Sequence, residues 1–157
     1  MHKKIINIHN EKQILSTEKN WLNLEAIAHV EVSSENKNYP IESALCLNSS
    51  SGWRAANEGE QIIRIVFNHP QQINHIMLVF TESESERTQQ YQLGWTSPEG
   101  QVHEIARQQW NFNSNGSSTE IENHQLSVND AKVIELCIIP DISNINAIAS
   151  LEKFRIA

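Results

Sequence analysis

Apolar residues arrive in short runs with a period of two, set apart by polar stretches, and nowhere hold a firm helical period. Between Gln89 and Thr96, Tyr91, Leu93 and Trp95 alternate with Gln90, Gln92, Gly94 and Thr96. That alternation places one dry face opposite one wet face and predicts a strand. Ser97-Pro98-Glu99-Gly100 follows as a turn, because Pro presets φ and Gly accepts positive φ. Residues 101–107 then return as the partner strand of a hairpin. Upstream, Gln61 to Phe67 is rich in β-branched residues and stops at Asn68-His69-Pro70. Ile73 to Phe80 is almost continuously apolar, as a central strand covered on both faces would be. Val133 to Ile139 ends at Pro140-Asp141, and Ile148 to Ile156 closes the chain. Leu22, Leu24, Ala26, Ala28, Val30 and Val32 share one parity, which predicts a strand within 21–32. A short helix is expected over 12–20.

The polar stretches 33–38, 48–52, 81–87 and 111–119 are short, so they read as loops within one domain. No internal repeat is present. Roughly seven short strands at this spacing predict two packed antiparallel sheets, an all-β sandwich. The expected organisation is an N-terminal extension, 1–20, packed on a sandwich of residues 21–157.

Composition narrows the choices. The chain has 157 residues, 39% of them apolar, enough for one domain with a real core. Its 12 Lys+Arg stand against 19 Asp+Glu, a net charge of −7. A grip on nucleic-acid phosphates calls for a basic field, so nucleic acid is not an expected partner. No apolar run approaches the ~18 residues of a membrane span, and Met1 to Asn10 lacks a secretory apolar segment. A cytoplasmic location without membrane attachment is the expectation. Cys46 and Cys137 are too few for a disulfide framework and are expected to be buried thiols.

No catalytic motif stands out. There is no Gly-rich phosphate loop, no Cys-x-x-Cys pair, no His-Glu-x-x-His run and no nucleophile elbow. A non-catalytic role follows as the expectation. The seven His are scattered. His69 and His75 flank a strand start and could meet around a metal, or simply line strand edges. Glu82, Glu84 and Glu86 could offer oxygens to calcium, or form a solvated loop. Trp21 and Trp95 are expected in the core. Trp53, beside Arg54, and Trp110, in Gln108-Gln109-Trp110-Asn111-Phe112-Asn113, lie near loops. A flat ring beside an amide or guanidinium suits sugar recognition, the ring stacking on C–H groups while the polar group bonds hydroxyls. The expected binding set is Trp53 and Trp110 as platforms, with Arg54, Arg87, Asn111 and Asn113 as hydrogen-bonding groups. The same residue types would equally anchor a protein partner or, for the two Trp, plug the ends of a sandwich.

A family resemblance covers residues 21–157. Tyr39-Pro40-Ile41-Glu42-Ser43-Ala44-Leu45, Gly52-Trp53-Arg54-Ala55, Gln61 to Phe67 and Pro70-Gln71-Gln72-Ile73, in that order, resemble the first half of a discoidin (coagulation factor 5/8 type C) domain. Arg87 to Gly100, Val133 to Pro140 and Ala149 to Ile156 resemble its second half. The resemblance implies a galactose-binding-like jelly-roll β-sandwich of two antiparallel sheets. It also implies a binding module for carbohydrate, lipid headgroup or protein, often with a structural calcium ion. Where such domains place Asp-Gly after Ala-Leu, this chain has Cys46-Leu47-Asn48, so calcium stays open here. The loops 33–38 and 81–87 lack paired apolar residues, which disfavours a lipid surface. Ser33-Ser34-Glu35, Trp53 to Ala56 and Gly59-Glu60 also resemble the N-terminal domain of the X-ray repair cross-complementing scaffold protein, which implies a protein–protein adaptor as the alternative. The residues leave the oligomeric state open.

Overall fold

The computed structural model describes residues 3, 20–49, 51–113 and 118–157. The helix expected over 12–20, and nearly all of the 1–20 extension, lie outside the described residues. From Leu24 the elements run α1 (Leu24–Ile27), β1 (Ala28–Val32), α2 (Glu42–Leu45), β2 (Trp53–Glu58), β3 (Gln61–Thr81), β4 (Arg87–Thr96), β5 (Val102–Phe112), β6 (Thr119–Ile139), β7 (Ile148–Leu151) and β8 (Lys153–Ile156). The strand expected within 21–32 is Ala28 to Val32, and α1 takes up Leu24 to Ile27 before it.

The strands are antiparallel throughout. β1, β3, β6, β4 and β5 lie side by side in that order, and β8 pairs with the second half of β3. β2 and β7 form a separate two-stranded ribbon. The sandwich comes from β3 and β6, each 21 residues long. The first half of β3 pairs with the last third of β6, while its second half pairs with the start of β6. Both strands therefore serve first one layer and then the other. The two strands expected on either side of Asn68-His69-Pro70 are one. Register shifts between Val66 and His75 turn the chain there without ending the pairing. Pro70 is tolerated because the irregular pairing at the bend asks no ladder hydrogen bond of it. The Lys132 ammonium donates to the Phe67 and Asn68 carbonyls at this bend.

Period-two alternation fills the space between the layers. Ile63, Ile65 and Phe67 of β3, Leu93 of β4, and Ile134, Leu136 and Ile138 of β6 are fully buried. So are Ile76, Leu78 and Phe80 from the second half of β3, and Phe154 and Ile156 of β8. Each such side chain contributes about 1.5–3 kcal/mol relative to exposure. Phe80 stacks on Tyr91 across the layers at 5.4 Å, and the Tyr91 hydroxyl meets His124 Nε2 at 2.8 Å. On an outer face, Arg64 bridges Glu31 (3.1 Å) and Glu135 (2.9 Å), its direct cross-strand neighbours. The hairpin turn is as expected: Gly100 has φ +87° and its N–H donates to the Ser97 carbonyl.

The expected buried thiols are half-buried instead. Cys46 donates to Glu25 (2.6 Å) and Cys137 to Glu60 (2.8 Å). The hydrogen bond to Glu25, with burial, pushes the Cys46 thiol up to about 11. Burial, with the bond to Glu60, takes Cys137 to about 12. Thiols held protonated in this way are poor nucleophiles.

Candidate functional site

At one end of the sandwich the 81–87 loop, the start of β2, the 141–148 loop and the β7–β8 junction enclose a hollow of about 630 Å³. That volume suits a small organic ligand. Its wall carries five carboxylates, Glu82, Glu84, Glu86, Asp141 and Glu152, and two guanidiniums, Arg54 and Arg87. Gly52 lets β2 approach the β7–β8 junction: a Cβ there would lie 2.6 Å from the Leu151 carbonyl oxygen and 2.8 Å from the Glu152 Cα. Any side chain at this position would push the wall apart.

Arg87 is the keystone of the 81–87 loop. It heads β4 on the inward-facing parity and is only 5% exposed. Its Nε donates to Glu82 Oε1 at 2.7 Å. Its Nη1 donates to Gln89 Oε1 at 3.0 Å and to the Pro140 carbonyl at 2.8 Å. The guanidinium carbon lies 4.7 Å from the centre of the Phe112 ring. Nη2 is buried and has no partner. Glu82 also accepts from Ser85 Oγ and from the Glu84 amide. Burial alone would push the Glu82 carboxyl up, but the Arg87 and Glu84 hydrogen bonds bring it below its ordinary value. Glu82 therefore faces Arg87, while Glu84 and Glu86 stay exposed. Next to Arg87 on the same wall, Asp141 Oδ1 accepts from the Ser143 amide and hydroxyl. These bonds outweigh burial and lower its carboxyl too.

The six residues expected from sequence separate into two groups. Arg54 and Arg87 both line the hollow. Arg54 is exposed, and its guanidinium carbon lies over Tyr39, 4.4 Å from the ring centre. Trp53 also borders the hollow, but not as a platform. Its exposure is 0%, and Nε1 donates to the Ser34 carbonyl at 3.1 Å. Trp53 and Arg54 are neighbours in a strand, so they point to opposite faces and only one can meet solvent. Trp110 is half-buried against the core, opposite Gln89, with Nε1 buried and unpartnered. Asn111 faces outward and accepts from Thr88 Oγ1 at 2.7 Å, and Asn113 lies exposed just past β5. None of these three lines the hollow. Tyr39, Asp141, Asn144 and Glu152 line it without having been singled out as binding groups. Tyr39 opens the first motif of the resemblance, and Asp141 follows the strand-ending Pro140; those were the available signals.

The metal readings fare differently. Glu82, Glu84 and Glu86 do not converge, and His75 is engaged by Asn123 (2.8 Å) and Gln125 (2.9 Å). Among the described residues no group of three or more His, Cys, Asp or Glu could hold a metal ion. After Ala44-Leu45, the loop carbonyls already face a cation of the chain's own. Arg155, 5% exposed, donates from Nη1 to the Ala44 carbonyl at 2.7 Å and from Nη2 to the Cys46 carbonyl at 3.0 Å. A calcium ion at these oxygens would meet a buried guanidinium, so the residues at this loop do not fit one.

No family model and no curated relative matches the chain. Solved structures with this fold do. A family 32 carbohydrate-binding module of Clostridium perfringens, in complex with galactose, is 14% identical with a TM-score of 0.65, over 87% of this chain and 96% of that one. The corresponding module of AlyQ, in complex with 4,5-unsaturated mannuronic acid, is 20% identical with a TM-score of 0.60, over 83% and 95%. A Ruminococcus gnavus fucosidase in complex with fucose is 14% identical with a TM-score of 0.68, over 92% of this chain but only 28% of the enzyme. The expected sandwich is therefore the fold of this chain.

Proposed function

We propose that this chain is a non-catalytic carbohydrate-binding module whose ligand sits in the hollow beside the 81–87 loop. The observation that carries the reading is Arg87. A buried guanidinium whose Nη2 has no partner, on a residue that lines a sugar-sized hollow, can satisfy those N–H groups on a ligand oxygen if the 81–87 loop gives slightly as the ligand enters. Arg54, over the Tyr39 ring, supplies further donors at the mouth, and Tyr39 supplies an aromatic edge. Relatives of the same fold carry galactose and an unsaturated mannuronic acid, which supports the ligand class. Glu82 is poorly suited to general acid chemistry, because Arg87 keeps it ionised. Hydrolysis of the bound glycan is not expected.

The test is a glycan array probed with the chain and with Arg54→Ala. Binding by the parent, reduced on the order of tenfold in the variant, supports the reading; tenfold corresponds to about 1.4 kcal/mol. An empty array overturns it. One observation favours the adaptor alternative: Ile142 and Ile145 stand 50% and 85% exposed on the loop bordering the hollow. Large apolar side chains at a rim suit a protein partner. An empty array together with a stoichiometric partner released by Ile145→Asp would establish that role instead.

A further inference from the structure

We infer that the open edge of β6, over Thr119 to Val128, takes an added strand from a partner, an extended peptide alternating basic with β-branched residues. The second layer ends at this edge, while the first continues past β6 through β4 to β5. Among the described residues, Thr119 to Val128 pair with β3 alone. One row of backbone groups is thus left to an incoming main chain. Over this edge β5 overhangs. Its Gln108, Trp110 and Phe112 share a face with Tyr91, Gln89 and Arg87 of β4. That face looks onto β6, since the Tyr91 hydroxyl meets His124 Nε2 at 2.8 Å. Phe112 is buried, Trp110 half-buried and Gln108 exposed. The inward residues of β6, from Glu120 and Glu122 to His124 and Leu126, are likewise only half-buried, whereas Ile76, Leu78 and Phe80 of neighbouring β3 are fully buried. One more strand beside β6 would close the gap. None of these β5 and β6 residues lines the hollow.

Charge says which strand fits. Glu120 and Glu122 sit side by side on the inward face, and among the described residues neither forms an ion pair. The titratable groups around Glu120 are Glu122 and His124 of β6 and Tyr91 of β4, with His75 of β3 beyond His124. Burial holds His124 below its ordinary value and pushes the Tyr91 hydroxyl up, so both are neutral. Arg87, further along β4, is bonded to Glu82. Phe80 of β3, directly opposite Glu120, and Trp110 of β5 carry no charge. With no cation at hand, burial and Glu122 raise the Glu120 carboxyl to about 7. A second copy pairing by the same edge would double the carboxylates, and inward charge of this kind repels like edges. A strand that sets Lys or Arg beside Glu120 and Glu122 gains charge-assisted bonds instead. Its alternate residues would cover Ile121, 57% exposed on the opposite face of β6, and β-branched side chains suit that contact.

The probe is a short acetylated peptide alternating Lys and Val, titrated into the full chain by calorimetry, with amide hydrogen exchange measured on the complex. Binding is expected at about pH 8 and should be several-fold weaker at about pH 6, where Glu120 is protonated. Slowed exchange should be confined to Thr119 to Val128. A peptide with Glu in place of Lys should bind at least about tenfold less. N-methylation of every second residue, in each of the two phases, separates backbone pairing from charge. The phase that faces β6 should lose binding, and the other should keep it. The combined variant Glu120→Gln with Glu122→Gln should weaken the Lys–Val peptide on the order of tenfold and remove the pH dependence. No binding of that peptide, equal binding in both methylated phases, or protection elsewhere in the chain overturns the proposal. A dimer of the chain alone in sedimentation, with exchange slowed at the same amides, overturns it too and gives the edge to a second copy.

Discussion

Two buried arginines, at different places in the sandwich, do opposite jobs. Arg155 and Arg87 are each 5% exposed, and each holds a loop by its carbonyls. Arg155 donates to the carbonyls of Ala44, Phe154 and Cys46, and none of its buried nitrogens lacks a partner. Among the described residues no carboxylate forms an ion pair with it, and burial pulls its pKa below the usual guanidinium value. Arg87 is neutralised by Glu82 yet has a buried Nη2 without a partner, on a residue that lines the hollow. The lesson is that burial alone does not mark a functional charge. A saturated guanidinium is a strut; one with a spare donor next to a cavity is a candidate hand.

The largest effect that would test this contrast is loss of the strut. Arg155→Met removes the side-chain donor from the Ala44 and Cys46 carbonyls, leaving Cys46 with the Ser49 amide alone, and should cost about 3 kcal/mol, read by urea denaturation. Arg87→Lys keeps a charge near Glu82 but loses the planar fork. We expect a cost of about 1–2 kcal/mol, with glycan affinity down on the order of tenfold. Equal affinity in parent and variant would erase the distinction between the two arginines. Trp110→Phe removes the buried unpartnered Nε1–H and most of the polarity at that position. Its stability should change by less than about 1 kcal/mol, and glycan binding should hold, because Trp110 does not line the hollow. Glu120 should give a smaller effect. Burial and the neighbouring Glu122 push its carboxyl up to about 7. A raised carboxyl adds stability that is fully present below its ordinary value and is lost as pH rises through about 7. Melting curves between pH 5 and pH 8 should therefore fall less steeply for Glu120→Gln than for the parent. Calcium should do least of all: its addition or chelation should leave the melting temperature unchanged, since Arg155 already serves the loop carbonyls.

Much of the sandwich was readable because alternation is a strong signal where one face is dry. β4, its turn at Ser97 to Gly100 and the return strand β5 follow directly from it. The continuity of β3 was hidden, because Asn68-His69-Pro70 has the chemistry of a stop, whereas bulged pairing with β6 and the Lys132 side chain carry the strand through. The binding set was only partly readable. Arg54 and Arg87 carried the right chemistry, and both lie on the hollow. Trp53 carried attractive chemistry too, but strand parity sends it inward once Arg54 faces out. The same rule parts Trp110 from Asn111. Tyr39, Asp141 and Glu152 come from three distant stretches of chain, and only the fold brings them to one wall.

The layer-crossing pair β3 and β6 also has a kinetic consequence. Gln61 must find Ile138 before either layer has its central neighbours, and such distant pairings close slowly. Refolding is expected on the millisecond-to-second scale of strand-dominated domains. Until that pairing forms, the isoleucine-rich length of β3 has nothing to cover it, so dilute, cool conditions should favour recovery of folded protein over clumping.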